Sequence, residues 1–211
     1  MRTLALLSQK GGAGKSTLCR QFSAIAGEAG PTGIVDLDPQ KTATKWWDRR
    51  QEIDPAPDFP ELYTVEDGRL SQTIASQKNV AGTLFIDTRP AVTALESEAA
   101  KVADLVIIPV RPSMDDVEAV ADTVAMLQRL GRRAVIVVNA ARNERRATDA
   151  RAALSRFPVA VCPHYITDRA IYWDASVEGM SVAEMRGSAA RDAEAELRRV
   201  WAWIEEQAAN A

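Results

Sequence analysis

A glycine-rich stretch near the start of the chain constrains the fold more than any other part of the sequence. It reads Lys-Gly-Gly-Ala-Gly-Lys-Ser-Thr over residues 10–17. An apolar run precedes it at residues 4–7, and a helical pattern with apolar Leu18, Phe22 and Ile25 follows it. Strand, glycine loop and helix in that order predict a loop whose backbone N–H groups surround a phosphate at the positive end of a helix.

The polar residues of the loop predict how a nucleotide is held. Lys15 would place its charge on the β- and γ-phosphates, and the Ser16 hydroxyl would ligate Mg²⁺. The spelling departs from the standard phosphate loop, because Gln9 stands where that motif has its first glycine and a second lysine, Lys10, follows it. The alternative is a glycine-rich turn between a strand and a helix that binds no ligand.

Length, charge and cysteine usage limit the class of protein. The chain has 211 residues, a formal net charge of −3 and two cysteines. This length fits one domain, residues 1–211, and two isolated thiols form neither a metal pattern nor a disulfide framework. The first apolar run is too short for a signal peptide and no run could span a bilayer, so we expect a cytoplasmic protein. Any contact with DNA would have to come from a local basic patch.

Two aspartates follow the second predicted strand, which covers residues 34–38. In open α/β sheets ligands bind at the carboxyl ends of the strands, so both side chains should emerge near the phosphate loop. Asp38 is placed to polarise a water or to hold a metal-bound water, and Asp36 could support it. The alternative is that these carboxylates cap the next helix, predicted from residue 41 to about 52.

A third aspartate ends the buried strand predicted at residues 83–87. An acidic residue near Mg²⁺ at a strand terminus is the expected Walker B feature, and Asp87 fits it. The segment Thr88-Arg89-Pro90 would then be the loop that senses the γ-phosphate.

An asparagine closes the apolar strand predicted at residues 134–139. The amide of Asn139 offers one donor and one acceptor, so it could read the edge of an adenine base. Its alternative role is to serve the turn that follows. Further apolar strands at 105–110 and 159–163 alternate with helical patterns, and the last helix is predicted at about 189–208. This alternation predicts an α/β fold with a doubly wound, mostly parallel sheet and helices on both faces.

These motifs, taken in order, resemble the ParA family of deviant Walker A ATPases, a group of P-loop NTPases. The resemblance rests on the glycine loop, on Asp-Leu-Asp-Pro-Gln at 36–40 and on Phe-Ile-Asp at 85–87. It is strengthened by Ile-Pro-Val-Arg-Pro-Ser at 108–113 and by Ile-Thr-Asp-Arg at 166–169 leading to Gly179. The match is closest to the short members, because the loop begins too early to leave room for an N-terminal helix-turn-helix domain.

The resemblance implies a function and a set of partners. It implies a homodimer formed around ATP and Mg²⁺, in which Lys10 reaches the phosphates bound by the partner subunit. It also implies that the ATP-bound dimer binds non-specific DNA and partitions or positions a plasmid, a chromosome or another cargo. A ParB-like or cargo-linked protein would stimulate hydrolysis, and the protein would be nucleoid-associated. Two residues depart from the family pattern: Arg89 stands where many members have proline, and Arg111 where they commonly have glutamine.

Residues and resemblance together give the predicted site. The predicted catalytic residues are Lys10, Lys15, Asp38 and Asp36. The predicted nucleotide contacts are Gly11, Gly12, Ala13, Gly14, Lys15, Ser16, Thr17 and Asn139. The predicted metal ligands are Ser16, Asp38 and Asp87.

The DNA contact and the choice between rival functions remain open in the sequence. Five arginines follow the Asn139 strand, namely Arg142, Arg145, Arg146, Arg151 and Arg156. They could contact phosphates or form a solvated helix face with ion pairs. A MinD-like membrane cycle would need a basic amphipathic tail, whereas the last helix carries several glutamates around its apolar stripe, so we expect no membrane partner. A metabolic P-loop enzyme would need a second polar constellation for its substrate, and none is visible.

Overall fold

A seven-stranded sheet forms the centre of the molecule. The computed structural model describes residues 1–65, 69–77, 80–91 and 93–209. The strands lie in the order β3-β2-β4-β1-β5-β6-β7, and every neighbouring pair is parallel. They are β1 Arg2–Leu6, β2 Thr32–Asp36, β3 Glu61–Tyr63, β4 Thr83–Asp87, β5 Leu105–Val110, β6 Ala134–Ala141 and β7 Ala160–Thr167. The predicted doubly wound parallel sheet is confirmed.

Helices cover both faces of this sheet. The helices are α1 Lys15–Gly27, α2 Thr42–Gln51, α3 Leu70–Ser76, α4 Ala94–Val102, α5 Met114–Arg129, α6 Glu144–Leu154, α7 Ile171–Val177 and α8 Ser188–Ala209. Residues of α1, α2, α7 and α8 share one buried apolar cluster with the strands, and residues of α3 to α6 share the other. Because successive strand residues point to opposite faces, Leu4 and Leu6 enter the first cluster while Ala5 and Leu7 enter the second.

Several element boundaries differ from the predicted ones. Strand β2 ends at Asp36, so Asp38 lies in the loop rather than in the strand. Strand β6 continues two residues past Asn139, where Ala140 takes a positive φ of 53° and the pairing with β7 shifts register. The sequence pattern between the last strand and the last helix predicts two short helices, and the structure forms one there, α7. The pattern also predicts a helix over about 67–78; both ends of that range lie outside the described residues, and α3 lies between them.

The register of three strands brings the site residues together. Asp87 at the end of β4 pairs with Leu6 of β1 on one side and with Asp36 of β2 on the other. The glycine loop leaves β1 at this same edge. The chain passes from β1 toward β2, whereas β5 lies on the other side of β1, and ligands of doubly wound sheets bind at such a switch point.

Candidate functional site

The glycine loop runs from β1 into the first turn of α1 and depends on glycine at two positions. Gly12 and Gly14 have φ angles of 76° and 96°, which side chains rarely adopt. Gly14 is the N-cap of α1, and a Cβ atom built there would lie 2.0 Å from Nδ2 of Asn139. No residue larger than glycine fits this position while Asn139 stays in place. The loop therefore exposes the N–H groups at the start of α1 without any capping side chain.

Asn139 is buried beneath that loop. Its Nδ2 donates a hydrogen bond of 2.9 Å to the backbone oxygen of Ala13. The sequence predicted that this amide reads an adenine edge, and that role stays a prediction. The contact in the structure gives the side chain another role, because it connects the end of β6 to the loop across 126 positions of sequence.

The two lysines of the loop have different surroundings. Lys15 is 6 % exposed, and burial lowers its pKa while Asp87, Asp38 and Glu96 act in the opposite direction. Lys10 is half-buried, and its ammonium group makes no hydrogen bond or ion pair with any residue of the described chain. One cation is therefore held among carboxylates, whereas the other has no partner within the described residues.

Asp87 is fully buried and its carboxylate is unsatisfied. Neither oxygen has a hydrogen-bond partner among the described residues. Burial raises the pKa of Asp87 to about 7; Ser16 and Lys15 lower it, and Asp36 and Asp38 raise it further. Ser16 and Lys15 are near enough to lower that pKa but do not offset the burial, so the carboxylate favours an added cation. Its place beside the Ser16 hydroxyl fits Mg²⁺ held together with phosphate oxygens.

The other two aspartates form a small hydrogen-bonded unit. Oδ1 of Asp36 accepts from the N–H of Asp38 at 3.0 Å, and Oδ2 accepts from the N–H and hydroxyl of Thr44 at 2.9 and 2.8 Å. Thr44 lies in the first turn of α2, so Asp36 rather than Asp38 stabilises that helix start. Asp38 uses one oxygen to accept from the N–H of Gln40 at 2.9 Å. Asp36 therefore orients the loop that carries Asp38.

The first two residues of the loop after β4, Thr88 and Arg89, are held by contacts with β1 and α4. Thr88 donates from its hydroxyl to the oxygen of Leu6 at 2.7 Å. Nε of Arg89 lies 3.2 Å from a carboxylate oxygen of Glu96, a fully buried residue in the first turn of α4. Glu96 also forms a capping box with Thr93. The arginine that departs from the family pattern is therefore held toward α4 in this structure.

A cleft of about 770 Å³ opens on the other side of the loop, between the ends of β5 and β6. Arg111 lines it and forms an ion pair of 3.2 Å with Asp116. The Arg111 guanidinium lies against the loop, because Nη1 would be 3.3 Å from a Cβ atom at Gly12. Arg142 and Arg146, two of the predicted DNA contacts, line the same cleft. The sequence placed Arg142 and Arg146 in one segment but did not predict that Arg111, which follows β5, joins them.

The comparison with known proteins assigns the family. Residues 4–182 match the family described as the CobQ/CobB/MinD/ParA nucleotide binding domain. The chain belongs to this family. The assignment confirms the resemblance drawn from the motifs.

Relatives of known name lie within the same family. The chain is 30% identical over 208 residues to the maintenance of carboxysome distribution protein A of Halothiobacillus neapolitanus, covering 94% of each chain. Among solved structures, an ATP complex of a McdA variant from Cyanothece superposes with a TM-score of 0.79 at 18% identity, covering 97% of this chain and 96% of that one. A plasmid partition protein of Borrelia burgdorferi bound to AMPPNP superposes with a TM-score of 0.80 at 14% identity, covering 98% and 99%.

The family and the site agree on the basic chemistry. The protein is an ATPase, and ATP with Mg²⁺ is its substrate and cofactor. Within the described residues no group of three His, Cys, Asp or Glu side chains could hold a metal ion. No helix within those residues is long and apolar enough to cross a membrane.

Proposed function

We propose that this ATPase positions a cargo on DNA through a nucleotide-dependent dimer. In the ATP state two copies associate and bind DNA without sequence preference, and a cargo-linked or ParB-like partner stimulates hydrolysis and release. Support comes from the relationship to a carboxysome distribution protein and from the likeness of fold to a plasmid partition protein. We also propose that the protein acts at the nucleoid.

The phosphates bind at the glycine loop in this proposal. The N–H groups of residues 11–17 surround the β- and γ-phosphates, and Lys15 neutralises their charge. Burial of Lys15 in the structure keeps water away from that charge, which strengthens its attraction for an anion. Asn139 and Gly14 hold the loop in the shape that this contact needs.

Hydrolysis uses the carboxylates at the ends of β2 and β4. Ser16 would hold Mg²⁺ with Asp87 behind it, and the ion would neutralise charge on the phosphate oxygens. Asp38 is the residue we assign to the attacking water, because it is close to Lys15 and Asp87 and keeps one carboxylate oxygen without a backbone partner. Asp36 is assigned a positioning role, since both of its oxygens already accept hydrogen bonds from Asp38 and Thr44.

The cleft beside Arg111 is assigned to the nucleoside. It adjoins the glycine loop and has room for a base and a ribose at about 770 Å³. Arg142 and Arg146 then face the nucleotide rather than DNA. Of the remaining predicted DNA contacts, Arg145 and Arg156 are exposed and Arg151 is half-buried on or near α6.

The unpaired ammonium of Lys10 is the observation that carries the dimer proposal. Lys10 is half-buried and its ammonium group has no partner within the described residues, so it is available to a partner subunit's phosphates. Such a contact in trans would make dimerisation and nucleotide state one equilibrium.

DNA binding with different nucleotides tests the whole proposal. A labelled duplex of mixed sequence is titrated with ADP, ATP and a non-hydrolysable analogue at two salt concentrations. We expect binding with ATP and the analogue only, weakening steeply with salt because phosphate contacts release counterions. Lys10→Ala should still bind ATP but lose both the dimer on sizing chromatography and the DNA binding.

Two results would contradict the proposal. One is DNA binding that does not depend on nucleotide, and the other is an unchanged dimer in the Lys10→Ala protein. Lys15→Ala serves as the reference that should lose ATP itself, so a failed phosphate loop is distinguished from a failed dimer.

The structure gives no support to a membrane-cycling alternative. The apolar stripe of α8 is buried against the sheet, with Leu197, Val200 and Ile204 at 0% exposure and Trp201 at 6%. A stripe used in the core cannot also enter a lipid surface.

A further inference from the structure

A recess between α1, α2 and α7 gathers cations that have no acidic partner. Its volume is about 390 Å³. It lies away from the Arg111 cleft, on the face of the sheet covered by α1, α2, α7 and α8. The residues that matter to its chemistry are Arg20, Lys45, Arg49, Trp173 and Ser176.

Two guanidinium groups converge on one serine in this recess. Nη1 of Arg20 donates to the hydroxyl of Ser176 at 2.7 Å, and Nε of Arg49 donates to the backbone oxygen of Ser176 at 3.0 Å. Arg20 is 5 % exposed, and its Nε donates to the oxygen of Ser16 at 3.0 Å. Lys45 is exposed at the edge of the recess.

None of these three cations forms an ion pair with a described residue. Other arginines of the chain that are similarly enclosed do have carboxylate partners, as Arg50 has Glu184 and Arg169 has Glu196. One acidic residue of α7, Asp174, is next to Trp173 in sequence but does not line the recess. The charges of Asp87 and Asp36 act on buried Arg20, so the positive charge that a ligand meets comes from Arg49 and Lys45, and it favours an anionic group that arrives from outside.

An exposed apolar surface adjoins the cations. Trp173 is 74% exposed and Val177, one turn further along α7, is 56% exposed. Tryptophan and arginine are the side chains that most often carry the binding energy of protein interfaces. The recess therefore pairs positive charge with an apolar contact of the kind a peptide can cover.

We propose that this recess docks an acidic segment of a partner protein. A carboxylate of the segment binds Arg49 and Lys45, and an apolar side chain of the segment packs on Trp173 and Val177. A peptide can place one carboxylate inside such a recess. The phosphates of a duplex could reach Lys45 and Arg49, but a duplex offers no apolar side chain to cover Trp173 and Val177, which a peptide can do.

The docking proposal is separable from the proposed function. That the segment belongs to the cargo-linked activator rests on the proposed function, whereas binding of the segment does not. Peptide binding is therefore measured on the ADP-bound and on the nucleotide-free protein, neither of which needs the dimer or DNA.

Selection from a random peptide library, displayed on phage, identifies the preferred segment. We expect a consensus that combines aspartate or glutamate with an aromatic or large aliphatic residue. A synthetic peptide of that consensus should then bind Arg49→Gln, Lys45→Gln and Trp173→Ala at least about tenfold more weakly than the wild type, because charge-assisted hydrogen bonds or the apolar contact are lost. Arg145→Gln, an exposed arginine on α6, is the matched control and should bind normally.

The outcomes that would overturn the proposal are specific. They are a basic or neutral consensus, unchanged affinity in Lys45→Gln, or displacement of the peptide by an equal concentration of a duplex at physiological salt. The side chain of Lys45 is exposed and makes no hydrogen bond or ion pair with the described residues, so its replacement leaves the fold intact even if Arg49→Gln unfolds. ATP hydrolysis in the same variants should match the wild type, which separates lost docking from a failed ATPase.

Discussion

Two residues, Gly14 in the phosphate loop and Asn139 on β6, together set the shape of that loop. Gly14 provides the turn, and Asn139 occupies the space where a side chain on that glycine would be. Neither residue could hold the loop alone, because the glycine supplies only conformational freedom and the amide supplies the hydrogen bond to Ala13. The loop that follows β1 is thus fixed by a residue of β6, a strand that is not a neighbour of β1 in the sheet.

Replacing Asn139 separates its two candidate roles. Asn139→Ala removes the hydrogen bond to the oxygen of Ala13 and leaves that oxygen unsatisfied. We expect affinity for ATP to fall about tenfold, since an unsatisfied buried acceptor costs about 1–3 kcal/mol. Isothermal calorimetry with ATP, GTP and inorganic tripolyphosphate measures the effect. Equal losses for all three ligands are expected if Asn139 holds the loop, whereas a loss confined to ATP would assign it to the adenine and contradict our interpretation.

At the scale of elements, one arginine joins three segments of the chain. The side chain of Arg50 at the end of α2 is 2% exposed and contacts Glu184 with two hydrogen bonds of 2.8 and 2.5 Å. It also donates to the backbone oxygens of Phe59 and Gly179 and stacks on Trp46 at 5.2 Å. Gly179 must be glycine, because a Cβ there would lie 2.5 Å from the backbone nitrogen of Arg50. This contact attaches α2 to the turn that follows α7.

Removing that arginine should destabilise the fold. Arg50→Met leaves Glu184 and two carbonyl groups without their partner, and we expect a loss of about 3 kcal/mol in the free energy of unfolding. For a chain of this size that is a fall of about 6–12 °C in Tm, measured by circular dichroism.

A matched arginine provides the control. Arg198 binds Glu28 through two hydrogen bonds of 2.9 and 2.8 Å, but its side chain is 42% exposed. Arg198→Met should cost about 1 kcal/mol or less, because exposed ion pairs contribute little. Equal shifts in the two variants would show that burial of Arg50 does not decide its contribution.

At the scale of the whole molecule, the sheet separates two closed apolar layers. Both cysteines belong to the layer beneath α1 and α8, and each is 0% exposed. Burial raises the pKa of Cys162 to about 11 and raises that of Cys19 well above its ordinary value. The thiols therefore remain protonated and inaccessible while the layer stays closed.

Thiol reactivity should report global opening. At pH 8 we expect neither cysteine to react with DTNB at the rate of a free thiol, while both react at once in denaturant. The raised pKa of Cys162 contributes stability that is present below its unfolded pKa and is lost as the pH rises through about 11. One fast-reacting thiol in the native protein at pH 8 would show that this layer opens locally.

The sequence predicted the buried elements well because their signals are local. Each central strand is an apolar run, and Asp87 follows such a run directly. The sequence did not predict β3. This strand has only three residues at the edge of the sheet, so its apolar pattern is too short to be recognised. The start of α4 could have been found, since Thr93 and Glu96 spell a capping box. Nothing local could have predicted the recess, because Arg20, Arg49 and Ser176 lie far apart in the sequence.

Arg20 contacts both the proposed docking recess and the phosphate loop. Its guanidinium group lines the recess and also donates to the backbone oxygen of Ser16, whose hydroxyl we assign to the metal. If a ligand in the recess shifts this guanidinium and so changes nucleotide affinity, reciprocity requires the nucleotide to change affinity for that ligand by the same factor. Under the proposed function, hydrolysis at the phosphate loop would then be coupled to release of the cargo-linked segment through the side chain of Arg20 alone.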